Sequence, residues 1–202
     1  ERKDFVDNAI TVMNEQIVPK VKDCGLLIGS INHNVHSGKK YYNSAFFIDN
    51  ARIVYVVNKQ LLPTYDLFDE RRYYEEGKGS SPVYYKGLRL GIHICEDMWR
   101  NESQYSQKLY DTDPVDSLGE QGVDLFINLS ASPFARAKDV KRQRIMSRYA
   151  SKWKVPFLMV NTVGANDSVV FDGRSKVFNS QGKLINEANA FEEDTLIVDT
   201  NF

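Results

Sequence analysis

The stretch from Lys86 to Arg100, KGLRLGIHICEDMWR, narrows the possible folds more than any other part of the chain. Leu88, Leu90, Ile92 and Ile94 alternate with Arg89, Gly91, His93 and Cys95. A period of two over this length marks a β-strand, because successive side chains of a strand point to opposite faces. A strand this apolar needs a sheet and a covering layer, so a helical bundle is excluded. Cys95 has the parity opposite to the leucines and meets two carboxylates, Glu96 and Asp97, where the strand ends. A cysteine serving as a small core hydrophobe belongs on the leucine side. The placement of Cys95 points to chemistry, with an inert structural thiol as the competing reading.

With 202 residues the chain can bury one sizeable core, and residues 1–202 are expected to form a single domain. Hydrophobic residues at 42% and charged residues at 26% match globular proteins and exclude a disordered or fibrous chain. A net charge of −1 excludes a globally basic nucleic-acid binder. Cys24 and Cys95 lack metal-ligand spacing, which predicts reduced thiols and a cytoplasmic location. No apolar run approaches the roughly 18 residues of a membrane span, so no membrane partner is expected. The opening ERKD carries no signal-peptide pattern and reads as though cut from something longer.

Upstream of the cysteine strand, Phe5, Ala9, Ile10, Met13, Ile17 and Val21 recur at three- and four-residue spacing, which predicts an amphipathic helix over 3–22 despite Pro19. Strands are predicted at 25–30, 44–49 and 53–58, the last two joined through Asn50, Ala51 and Arg52 in a turn that lacks its usual glycine. Both of these strands are apolar at nearly every position, which requires cover on both faces. Residues 60–82, rich in aromatics, charge and turn formers, are expected to form a loop or short helical excursion over a pocket. Downstream, short helical structure is predicted near 114–120, a helix at about 136–153, and strands at 123–129, 155–161, 168–171 and 196–200. Asp172-Gly173 and Ser180-Gln181-Gly182 are read as hairpin turns. This order of elements describes a layered α/β domain.

Five constellations compete for function. His93 lies two residues from Cys95, but such side chains stand roughly 6.5 to 7 Å apart on a strand, too far for a Cys–His hydrogen bond, so His93 reads as strand filler. His33 and His36 lack further metal ligands and read as part of a solvated loop. GKGSS at Gly77 fails the phosphate-loop pattern, because the required first glycine falls on Arg72. The helix at 136–154 carries Arg136, Lys138, Lys141, Arg142, Arg144, Arg148, Lys152 and Lys154 against the single acid Asp139. It is the best case for a binding module, and a solvated or subunit-facing surface is the favoured reading. Lys59, at the end of the 53–58 strand, would ordinarily snorkel to water. Paired with Cys95, it describes a thiol with a cation able to stabilise its thiolate and a developing oxyanion.

Three strings in this order, VVNKQLLPTYDLFDERRYY around Lys59, GLRLGIHICEDMW around Cys95 and LFINLSASPFARAK from Leu125, with VNTVGANDSVVFDGRS from Val160 as a fourth, resemble the nitrilase (carbon–nitrogen hydrolase) superfamily. Within it, the resemblance is greatest to the glutamine amidotransferase domains of glutamine-dependent NAD synthetases, and it extends over essentially the whole chain. The resemblance implies a four-layer α-β-β-α sandwich and a Glu–Lys–Cys triad in which Cys95 is the nucleophile and Lys59 stabilises the tetrahedral intermediate. It further implies that Tyr65, Phe68, Glu96 and Ser132 line a glutamine pocket, and that Lys138 or Arg136 meets the substrate carboxylate.

One part of the family pattern is missing. The catalytic glutamate would lie on a strand upstream of the 3–22 helix and therefore precede residue 1, together with the first strand and helix. Glu70 reads as a pocket or structural carboxylate rather than a substitute base. The ATP- and magnesium-using synthetase domain that follows in such enzymes is also absent, so no cofactor is expected within residues 1–202 and the fragment alone is expected to be inactive. The implied partners are glutamine, that synthetase domain and further copies of the chain. Two other readings stand beside this one: a nitrilase-type amidase for another small ω-amide, and a catalytically silent interaction domain.

Overall fold

The apolar stripe at the start of the chain continues as predicted, but the helix that carries it changes form. In the computed structural model, which describes residues 3–65, 68–100 and 110–199, α1 spans Lys3–Val12. A π turn over Met13–Ile17 and a 3₁₀ turn over Val18–Lys20 follow it. Pro19 has no amide hydrogen to donate and crowds the preceding turn, so a regular helix cannot run through it. Met13, Val18 and Val21 still face one way and pack with Phe46 and Ile48 in the core of this first unit, residues 1–80.

That core lies against a three-stranded antiparallel sheet of β1 (Leu26–His33), β2 (Tyr41–Asp49) and β3 (Arg52–Asn58). Central β2 is buried along nearly its whole length, as its largely apolar sequence requires, whereas on edge strand β3 only Val57 is fully buried. The β2–β3 turn has Asn50 at φ 48° and Ala51 at φ 56°. Both residues are left-handed, the geometry that matches strand twist. Asparagine tolerates it, while alanine pays roughly 1 kcal/mol. The Ala51 N–H donates to the Val21 carbonyl at 2.6 Å, which anchors the turn without glycine. After β3 the chain makes the short helix α2 (Glu70–Tyr73).

The second unit, residues 81–202, is built on a six-stranded sheet ordered β11-β10-β7-β6-β5-β4. Its elements are β4 (Val83–Tyr85), β5 (Leu88–Ile94), α3 (Pro114–Glu120), β6 (Leu125–Ser130), α4 (Lys138–Trp153), β7 (Phe157–Asn161), β10 (Lys176–Phe178) and β11 (Leu184–Glu187). A separate ribbon of β8 (Val163–Asn166) and β9 (Val169–Asp172) falls between β7 and β10. β5, β6 and β7 are parallel, and the pairs at either edge are antiparallel. Helix α3 starts where the sequence places it: Asp113 caps it by accepting from the Asp116 N–H, and Pro114 takes the first turn. Helices α3 and α4 pack Val115, Leu118, Ile145, Met146, Tyr149 and Ala150 against Phe126, Phe157 and Met159 of the sheet.

Ser180-Gln181-Gly182 forms the β10–β11 hairpin turn. Asp172-Gly173 instead passes from the β8–β9 ribbon into the main sheet, because β9 pairs with β8 rather than β10. The strand expected at 196–200 is absent over 196–199, and Thr200 lies outside the described residues, as do the 101–109 part of the polar stretch and Asp66 and Leu67. Among the described residues no helix is long and apolar enough to cross a membrane.

Candidate active site

Strand β5 is buried on both faces from Leu90 to Ile94, so its alternation separates two covered faces and not core from solvent. Immediately past it, Cys95 has φ 44°, a left-handed backbone that a residue with a Cβ adopts only under constraint. Two contacts impose it: the Asp97 carboxylate accepts from the Ile94 N–H at 2.9 Å, and the Asn128 carboxamide donates to the Cys95 carbonyl at 3.5 Å. A 3₁₀ turn over Cys95–Met98 follows, leaving Cys95 partly exposed and Asp97 fully buried. Glu96, 6% exposed, accepts from the Tyr110 hydroxyl at 3.0 Å. Both carboxylates beside the thiol are thus engaged in holding structure.

Ligand sites in sheets of this kind lie at the carboxyl ends of parallel strands, and three such ends converge here. β5 delivers Cys95, the segment after β6 delivers Ser132, and β7 ends on Asn161. Ser132 is 1% exposed, and its backbone N–H donates to the Asn161 carboxamide at 2.9 Å. Lys138 begins α4, with its ammonium 5.4 Å from the Trp99 ring centroid, so the two residues form a cation–π pair. Arg136 is exposed, whereas Lys138 is half-buried.

In the first unit, Lys59 does not snorkel. It is 2% exposed, and its ammonium meets the Glu70 carboxylate at 2.6 Å. The second Glu70 oxygen accepts from the Asn43 side chain at 3.4 Å. The Lys59 backbone is fixed as well, donating to the Asn43 carbonyl and accepting from the Gly77 N–H, each at 2.8 Å. A Cβ on Gly77 would stand 2.3 Å from the Asn58 carbonyl oxygen, so GKGSS needs this glycine for close approach to the end of β3. Tyr65 and Phe68 are half-buried and meet edge to face, with ring centroids 6.0 Å apart.

The remaining candidates have structural roles. His93 is fully buried with its ring against Phe126 and Phe157, and burial lowers its pKa to about 4. His33 closes β1 beside Asp7 at 3.4 Å, and His36 lies in an exposed turn. The basic helix is not a uniformly solvated face, because Arg142 is 0% exposed and pairs with Asp172 at 2.5 Å, while Lys152 pairs with Asp116. The sequence reading passed over Asn128, Asn161, Trp99 and Tyr110. The two asparagines carried a signal: each is a polar residue inside or closing an otherwise apolar strand.

The second unit thus holds a partly exposed thiol at a constrained strand end, and the first a buried lysine–carboxylate pair. The carbon–nitrogen hydrolase family profile matches residues 16–202, and the chain belongs to that family. Its relatives include the glutamine-dependent NAD(+) synthetase of Synechocystis sp., 39% identical over 188 residues, covering 91% of this chain and 33% of that protein. The enzyme of the same name from Thermotoga maritima is 39% identical over 165 residues, 82% of this chain and 27% of that protein. Among solved structures, the glutamine-dependent NAD+ synthetase of Acinetobacter baumannii matches with a TM-score of 0.82 and 31% identity, over 94% of this chain and 33% of that one. A carbon–nitrogen hydrolase from Helicobacter pylori shares the fold, with a TM-score of 0.71 at 22% identity, over 84% of this chain and 59% of that one. The chain therefore spans about a third of the length of the curated synthetases it matches.

Proposed function

We propose that this chain is the glutamine-hydrolysing part of a glutamine-dependent NAD synthetase. The observation that carries the reading is Cys95, a partly exposed thiol held at φ 44° past the carboxyl end of a parallel strand, in a chain whose relatives bear that name. The Cys95 thiolate attacks the side-chain carbonyl carbon of glutamine, forming a C–S bond and moving the carbonyl electrons onto oxygen. The Lys59 ammonium and the Glu96 backbone N–H stabilise that oxyanion. A glutamate supplied from outside residues 1–202 takes the thiol proton and gives it to nitrogen as the C–N bond breaks and ammonia leaves. Water activated by the same carboxylate hydrolyses the thioester, releasing glutamate and restoring the thiol.

Tyr65, Phe68, Glu96, Ser132 and Lys138 form the substrate pocket in this reading. Half-buried Lys138, held against Trp99, is better organised than exposed Arg136 to meet the substrate carboxylate. The complete domain has the four-layer α-β-β-α sandwich of nitrilases, with its first strands and helix supplied from outside this chain. The ammonia is consumed in an ATP- and magnesium-dependent amidation of deamido-NAD on a synthetase domain of the same cytoplasmic, homo-oligomeric protein. Residues 1–202 alone do not turn over glutamine.

A diazoketone analogue of glutamine, incubated with the full-length polypeptide and read by intact mass, should add once, and Cys95→Ala should abolish the adduct. Persistent labelling refutes the assignment. Full ammonia release by residues 1–202 alone refutes their dependence on an outside glutamate. A panel of ω-amides separates a glutaminase from an amidase of other specificity.

A further inference from the structure

Both ends of the Asn161 carboxamide are engaged, and both reach the loop that carries Ser132. β6 and β7 run parallel as far as the pairing of Ser130 with Asn161, and the last backbone rung is the Thr162 N–H donating to the Ser130 carbonyl at 3.0 Å. Beyond it the chain leaves the sheet, and the Asn161 side chain takes over as a surrogate peptide. Its Oδ1 accepts from the Ser132 N–H at 2.9 Å, and its Nδ2 donates to the Ser132 carbonyl at 3.4 Å and to the Gly173 carbonyl at 2.8 Å. One side chain, 7% exposed, thereby ties the loop after β6 to the turn after β9. The task needs an acceptor and two donors on a short stem. Aspartate lacks the donors, leucine lacks both functions, and glutamine is one methylene too long.

This arrangement frees the serine hydroxyl. Loop serines commonly spend their Oγ on neighbouring backbone groups, but here Asn161 holds the loop. The Ser132 Oγ is buried and has no hydrogen-bond partner among the described residues. A buried polar atom left in this state has a partner to find.

We propose that Asn161 is a positioning residue that fixes the Ser132 backbone so that the Ser132 hydroxyl is delivered to the substrate. The inference rests on the assignment of Ser132 to the glutamine pocket. In the full-length polypeptide, Ser132→Ala and Asn161→Asp should each raise the KM for glutamine roughly ten-fold while kcat stays within about three-fold, the effect of losing one polar contact. The double variant should be no worse than Ser132→Ala alone, because both changes remove one interaction. Amide hydrogen exchange should accelerate at residues 131–133 in Asn161→Asp and stay unchanged in β6 and α4. If Asn161→Asp does not fold, Asn161→Ser carries the same expectations.

An unchanged KM in the Asn161 variant, additive effects in the double variant, or unaltered exchange at 131–133 overturns the proposal. If Ser132→Ala leaves KM unchanged although exchange accelerates, the pocket assignment of Ser132 fails and the positioning role falls with it. If the unsubstituted polypeptide hydrolyses no glutamine, the glutaminase reading itself fails and altered exchange marks a scaffold contact.

Discussion

The pair most exposed to a quantitative test is Arg142 with Asp172, at 0% and 1% side-chain exposure and 2.5 Å apart. Removing one partner of a buried pair leaves an uncompensated charge and costs about 3–5 kcal/mol. For Asp172→Ala the low end applies, because the Arg142 guanidinium retains Asp139 at 3.5 Å. Arginine cannot escape by losing its proton, so about 3 kcal/mol is expected. Arg142→Met should cost less, since Asp172 keeps Arg174 at 3.9 Å. The double replacement Arg142→Met/Asp172→Leu should restore stability to within about 1 kcal/mol of the parent, because apolar residues of similar volume replace buried ion pairs with little loss. Both tryptophans, Trp99 and Trp153, lie in the unit that contains the pair, so urea unfolding followed by tryptophan fluorescence reads it directly. With a slope of about 2 kcal/mol per molar urea, Asp172→Ala should lower the midpoint by roughly 1.5 M. A loss below about 1 kcal/mol, or a double variant no more stable than Asp172→Ala, would refute the argument.

His93 supplies a pH test. Its folded pKa, lowered by burial to about 4, lies below the 6.5 of the unfolded chain, so the unfolded state binds more protons between these values and stability falls as pH drops through that window. At pH 5 the loss relative to pH 7.5 should be about 2 kcal/mol, and His93→Phe should remove this component; an unaltered pH profile in the variant refutes it. Glu70→Gln keeps the shape beside Lys59 but removes the carboxylate charge that meets its ammonium. In the full-length polypeptide it should lower kcat for glutamine roughly ten-fold or more with little change in KM, and a parental kcat would show that the pair has no part in turnover.

Much of the second unit could be read locally. The period-two run before Cys95 and the helices predicted near 114–120 and 136–153 each depend on neighbours within a few residues, and each appears in the fold with small changes of boundary. The four motif strings were sufficient to place the chain among carbon–nitrogen hydrolases, a family the profile match then showed. The strand expected at 196–200 lacked such support, since an apolar run specifies a strand only when another strand stands ready to pair with it.

The sequence by itself therefore determined most of the elements, the family and a thiol at a strand end; the tertiary structure decided what each polar group does. Arg142 belongs to a helix that reads as a solvated basic face, yet it is buried because Asp172, 30 residues away in sequence, is brought opposite it. Asn161 looks like one more strand residue until the parallel register of β6 and β7 sets it beside Ser132, 29 residues earlier. The backbone of Cys95 shares this origin in part: Asp97 acts on it from within the same turn, but the contact to its carbonyl comes from Asn128 on the neighbouring strand. Periodicity and capping report interactions within a turn or two of the chain. Hydrogen bonds and ion pairs across a sheet depend on register, and register exists only once the strands have paired.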